Sequence, residues 1–141
     1  MKILLPVDGS ACALRAVDQL IQHGAWFSEV PEIHLLYVHP PIPIGRVQAH
    51  VGHETLHAYY LEDSREQLVA AAAKLEAAGL AFSSHIHVGQ AAEVIVKLAD
   101  ELKVDLLFIG SHGRGSIASA LMGSVSSRVL HLAHCPVLVI K

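Results

Sequence analysis

Five short apolar runs, each separated by more than the ten or so residues that a parallel crossover requires, constrain this chain most. The runs are Lys2 to Val7, Ile33 to His39, Ala81 to Val88, Val104 to Ile109 and Pro136 to Ile140. The intervening segments have helical character. Asp8-Gly9-Ser10 is a turn that ends in a good N-cap, and Leu14, Val17 and Ile21 follow at spacings of three and four. Thr55 to Ala78 is rich in Ala and Glu and stops at Gly79, a natural C′ residue. Ala91 to Leu102 places Ala91, Ile95, Leu98 and Leu102 on one face, and a last helix runs from Ser124 to Ala133. The order β-α-β-α-β-α-β-α-β predicts a right-handed, doubly wound parallel sheet with helices on both faces. Strands buried on both sides explain an apolar content of 52%. A length of 141 residues suits one domain, residues 1–141.

In such sheets ligands bind beyond the C-terminal strand ends, where the strand order reverses. Strands one and four are expected to flank that point, which sets Asp8 beside Gly110. The segment after strand four reads Gly110-Ser-His-Gly113-Arg-Gly-Ser-Ile-Ala-Ser-Ala-Leu-Met-Gly123-Ser124. Strand, glycine-spaced loop and helix N-terminus in that order form an anion-binding device. The glycines are expected to permit positive φ and a close approach to ligand. From Gly110 to Lys141 there is no Asp or Glu, while Arg114, Arg128 and Lys141 lie there. Two common nucleotide sites are excluded. GxxxxGK[ST] is absent. Gly113-Arg-Gly115-Ser-Ile-Ala118 matches GxGxx[GA], but no acid follows it to hold a ribose.

Gly110-x2-Gly113-x9-Gly123-Ser124 satisfies every fixed position of G-x2-G-x9-G-[ST]. On that motif the chain resembles the ATP-binding branch of the universal stress protein family. The opening Ile3 to Ser10, the Val88-Gly89 to Ile95 segment and the closing Cys135 to Ile140 extend the resemblance over the whole chain. It implies a Rossmann-like, five-stranded parallel sheet in the order 3-2-1-4-5. It implies ATP with Mg²⁺ or Mn²⁺ as ligand. Pro6, Val7 and Asp8 are then expected at adenosine, with Asp8 accepting from a ribose hydroxyl or helping to hold the cation. Val38 is expected to read the adenine edge through its backbone, and Ile109 and Gly110 to line the ribose side. Gly113 and Arg114 begin the phosphate loop, and His112 lies within it. Gly123, Ser124, Val125 and Ser126 are expected to wrap the phosphates. Ser124 also reads as an N-cap, and Asp8 as a turn residue.

The remaining features are quieter. Of the 11 histidines, His50, His53 and His57 are spaced three and four, and His85 and His87 share a strand face. His50 and His53 fall in a segment expected to be irregular after Pro40, Pro41 and Pro43, so no metal site from protein clusters is expected. Cys12 and Cys135 are in no CxxC pair and read as small buried apolar residues. A net charge of −3 argues against nucleic-acid binding. No apolar run reaches the roughly 18 residues of a membrane span, and no leader pattern opens the chain, so a cytoplasmic location without membrane insertion is expected. Strand five is apolar on both faces. At a sheet edge it needs a cover, and the resemblance implies a homodimer through Pro136 to Ile140.

No Ser-His-Asp order or carboxylate pair is evident, which favours a nucleotide-binding regulatory protein with an unknown protein partner in a stress or metabolic response. Two other readings stay open. One is an enzyme of a related α/β fold, hydrolysing ATP slowly or transferring a nucleotidyl group. It lacks the SGGxDS loop after strand one and the HIGH sequence of class I synthetases. The other is an interaction module that keeps the fold without the ligand.

Overall fold

The computed structural model describes residues 1–41, 53–113 and 122–141, and of 53–59 and 61 the backbone only. Its strands are β1 (Lys2–Pro6), β2 (Glu32–His39), β3 (Phe82–Val88), β4 (Leu106–Gly110) and β5 (Val137–Ile140). Its helices are α1 (Ala11–Gln22), α2 (His53–Ala77), α3 (Ala91–Leu102) and α4 (Ser124–Leu132). The strands form one sheet in the order β3-β2-β1-β4-β5, and every pairing is parallel. The expected order, with β1 and β4 at the reversal, is the one observed.

Alternation along each strand divides the core between two faces. Ile3, Leu5, Ile33, Leu35, Tyr37 and Phe108 pack with Ala16, Val17 and Leu20 of α1 and Leu68, Ala71 and Leu75 of α2. Leu4, Leu36, Leu107 and Ile109 pack with Ala92, Ile95, Leu98 and Ala99 of α3 and Val129 of α4. The central strands are therefore covered on both faces, which is why they read as largely apolar runs. The edges differ: β3 exposes Ser83, Ser84 and His87, and β5 is half-buried along its length.

Ser10 caps α1, accepting from the Ala13 N–H at 3.2 Å. The buried face of α1 is Cys12, Ala13, Ala16, Val17 and Leu20. Leu14 and Ile21, expected to lead that face, only flank the core. α2 begins at His53, so this residue is helical rather than irregular, and His50 lies outside the described residues. Gly79, at φ 70°, follows the end of α2 as expected. β4 starts later than Val104 because Lys103 turns left-handed at φ 53° to close α3, and Val104 then donates to Ala99 O at 3.0 Å. α4 is capped by Gly123, not Ser124, which is its first helical residue. The helix stops at Leu132, because Ala133 is extended. A short 3₁₀ turn, Gly24–Trp26, has no counterpart in the sequence reading.

Candidate functional site

A cavity of about 630 Å³ opens at the C-terminal ends of β1, β2 and β4. β1 delivers Pro6, Val7 and Asp8 to it. The Val7 N–H donates to Leu36 O at 2.8 Å, which holds this strand end against β2. Asp8 serves the turn as well as the cavity: its Oδ1 accepts from the Ser10 N–H at 2.9 Å. β2 and its exit contribute Leu36, Tyr37, Val38, His39 and Pro40. β4 contributes Ile109 and Gly110, and His112 and Gly113 follow. The opposite wall is Met122, Gly123, Ser124, Val125 and Ser126 at the start of α4. Every site residue expected from sequence, apart from Arg114, thus lines one cavity. Arg114 lies outside the described residues.

The wall at α4 is electropositive. Gly123 has no side chain to cap the helix, and the first N–H bonded back into the helix is that of Ser127, to Gly123 O at 3.0 Å. The N–H groups of Ser124, Val125 and Ser126 have no helical carbonyl to meet, and the helix dipole adds partial positive charge there. The buried Ser111 anchors this end. Its carbonyl accepts from the Gly123 N–H at 2.8 Å and from Ser126 Oγ at 2.7 Å. Its own N–H donates to Ile140 O at 2.6 Å, tying the loop to the last residue of β5.

The motif glycines act by leaving space, not through positive φ. None of Gly110, Gly113 and Gly123 has positive φ; among the described glycines those are Gly9, Gly79 and Gly89. A Cβ on Gly110 would meet the Cys12 backbone at 3.0 Å, and one on Gly123 would lie 3.2 Å from Ser111 O. On Gly113 it would lie 2.6 Å from Asp8 Oδ2. That last contact brings the loop after β4 against the acid after β1, as the switch-point argument requires.

Several lining residues escaped the sequence reading. His39 and Pro40 adjoin Val38 and could have been found from position alone. Asp63 could not, since it arrives from α2. His39 Nε2 is 3.3 Å from Asp63 Oδ2, and His39 Nδ1 is 2.6 Å from Pro40 O. Tyr60 sets its ring edge-on to His39 at 4.7 Å. α2 is thereby fastened to the end of β2 beside the cavity.

The two cysteines differ. Cys12 is buried, with Sγ 3.6 Å from Ser111 Oγ. Burial opposes its ionisation, but hydrogen bonds from Ser111 and His112 and the charge of Arg15 hold the thiol below its ordinary value. Cys135 is only half-buried, which corrects the expectation for it. Burial, with Asp100 nearby, pushes its thiol up. Arg128, one of the cations noted after Gly110, is paired with Glu93 of α3 at 2.6 Å.

Among the described residues no group of three His, Cys, Asp or Glu is arranged to hold a metal ion, and no helix is long and apolar enough to cross a membrane.

The model of the Universal stress protein family matches residues 1–141. Universal stress protein MJ0531 of Methanocaldococcus jannaschii is 32% identical over 140 residues, 99% of this chain and 81% of the relative. The solved structure of MJ0577 from the same organism superposes with a TM-score of 0.84 at 31% identity, over 99% of this chain and 94% of that one. A universal stress protein solved in complex with cAMP superposes with a TM-score of 0.72 at 26% identity, over 100% and 97% of the two chains. The chain belongs to the universal stress protein family.

Proposed function

We propose that this protein binds ATP with Mg²⁺ or Mn²⁺ and acts as a cytoplasmic, homodimeric regulator in a stress or metabolic response. The observation that carries this reading is the convergence of the α4 N-terminus with the Gly110, Gly113 and Gly123 gaps on one cavity. About 630 Å³ falls within the size range of small-molecule sites. Apolar strand ends suit a base and sugar, and the N–H groups of Ser124, Val125 and Ser126 suit phosphates. A structural relative bound to cAMP supports an adenine nucleotide as the class of ligand. In this reading Asp8 and the Ser124 hydroxyl are the oxygen donors for the cation, a donor type that fits Mg²⁺ or Mn²⁺. The cation would neutralise phosphate charge beside the Asp8 carboxylate. The N–H groups of α4 orient the phosphates, and Val38 presents its backbone to the base. β5, half-buried at the sheet edge, is the surface for the second copy.

Denaturing freshly purified protein and identifying the released nucleotide by chromatography tests the reading. ATP is the expected product, with calorimetric binding of ATP to the emptied protein. No nucleotide in the preparation and no heat at millimolar ATP with Mg²⁺ would leave only an interaction module.

A further inference from the structure

His85 and His87 stand on one face of β3, and neither lines the cavity. Strand register pairs His34 with Ser83, and Leu36 with His85. Register partners in a sheet point to the same side, so His34, His85 and His87 share the side on which Leu36 packs against α3. The helices leave this side of the edge strand open, because Ser83 and His87 are exposed.

His34 is buried beneath that edge. Its Nε2 is 3.1 Å from Glu32 Oε1, and its Nδ1 is 3.0 Å from His85 Nε2. An ionised carboxylate only accepts, so Nε2 of His34 carries a proton, and in the neutral ring the Nδ1 lone pair then faces His85. The gap between the two rings therefore holds one proton, supplied by His85. Two nitrogens that each sit about 2.0–2.1 Å from one ion lie about 2.9–3.4 Å apart, depending on the bond angle. The observed 3.0 Å falls in that interval.

We propose that His34 Nδ1 and His85 Nε2 form a two-histidine site for a borderline divalent cation, Zn²⁺ or Cu²⁺. The cation takes the place of the shared proton, which moves to His85 Nδ1, so each ring keeps one proton and gains one metal bond. Imidazole nitrogen suits these two ions. Glu32 is a positioning residue: it fixes the His34 tautomer, as carboxylates behind metal-bound histidines do. With no third ligand converging among the described residues, water fills the remaining positions. The site is open and exchangeable, unlike a closed structural zinc centre.

Calorimetric titration of the full chain, freed of nucleotide, with Zn²⁺ alone and then Cu²⁺ alone tests this. One equivalent is expected, with two nitrogen ligands in the Cu²⁺ electron paramagnetic resonance spectrum. His85→Gln, at a half-exposed position, should abolish that equivalent while leaving the circular dichroism spectrum unchanged. Glu32→Gln should weaken it roughly tenfold. The joint replacement of His50, His53 and His57 by Gln should leave it intact. Absence of the equivalent in the wild-type chain, or its loss in that triple variant with retention in His85→Gln, overturns the proposal.

Discussion

Two glycines of one motif face different neighbours, and their replacement should separate stability from binding. Ala at position 110 would drive a methyl group against the Cys12 and Ala13 backbone, which cannot move aside. Gly110→Ala should cost about 1–3 kcal/mol in urea denaturation. Ala at position 113 would press on the end of the Asp8 side chain. Gly113→Ala should leave the urea midpoint nearly unchanged and weaken ATP binding by about tenfold, or about 1.4 kcal/mol. If both variants lose only stability, Gly113 has no part in the site. Arg114→Ala should reduce ATP affinity more than adenosine affinity in the same calorimeter, and equal losses would remove it from the phosphates. The raised Cys135 thiol leaves less thiolate near pH 8 than a free cysteine has, so its alkylation by iodoacetamide should lag there. The rate should keep climbing above pH 9, as peptide mass spectrometry can follow. At this scale spacing located the motif glycines, but not the reason for them. Positive φ is a local property, whereas the space each glycine leaves is defined by Cys12, Asp8 and Ser111, distant in sequence.

Each helix is positioned by its ends. Ser10 supplies a side-chain cap to α1, and Ser10→Ala should cost about 1 kcal/mol in the same denaturation assay. α4 has no such cap, so its first N–H groups stay available at the cavity. A cap formed by Ser124 would have used one of them. The helices were legible wherever apolar spacing, a cap or a terminal glycine agreed, as in α1 and α3. Their errors fall at termini decided by tertiary contacts. Val104 belongs to the close of α3 because its N–H finds Ala99 O, and Gly110 joins β4 because β5 offers Ile140 as its register partner. The His39–Asp63 tie between β2 and α2 was not legible, since no periodicity links a strand end to a residue midway along a later helix.

The doubly wound parallel class was readable because every crossover is long and the central strands are largely apolar, whereas the order of the strands came with the family resemblance. Edge behaviour is the part that pairing adds. In a parallel ladder the groups directed at one neighbour alternate along the strand. Pro136 and Ile140 present their carbonyls to β4 and the loop after it, which leaves the Val139 N–H directed outward. Val139→Pro should therefore keep the fold and disrupt the proposed dimer. Sedimentation velocity should show a species near the 15.1 kDa of one chain where the wild type shows twice that mass. An unchanged dimer would place the interface elsewhere.

The cavity takes its walls from Pro6 to Asp8 near one end of the chain and from Met122 to Ser126 near the other. An occupant seated there touches both, and the chain cannot unfold globally without letting it go. At a concentration a hundredfold above Kd, a ligand adds about 2.7 kcal/mol to the cost of unfolding. Survival in a pulse of protease should lengthen with added ATP and shorten as it is depleted. The lifetime of the polypeptide would then track the nucleotide supply, before any partner is engaged.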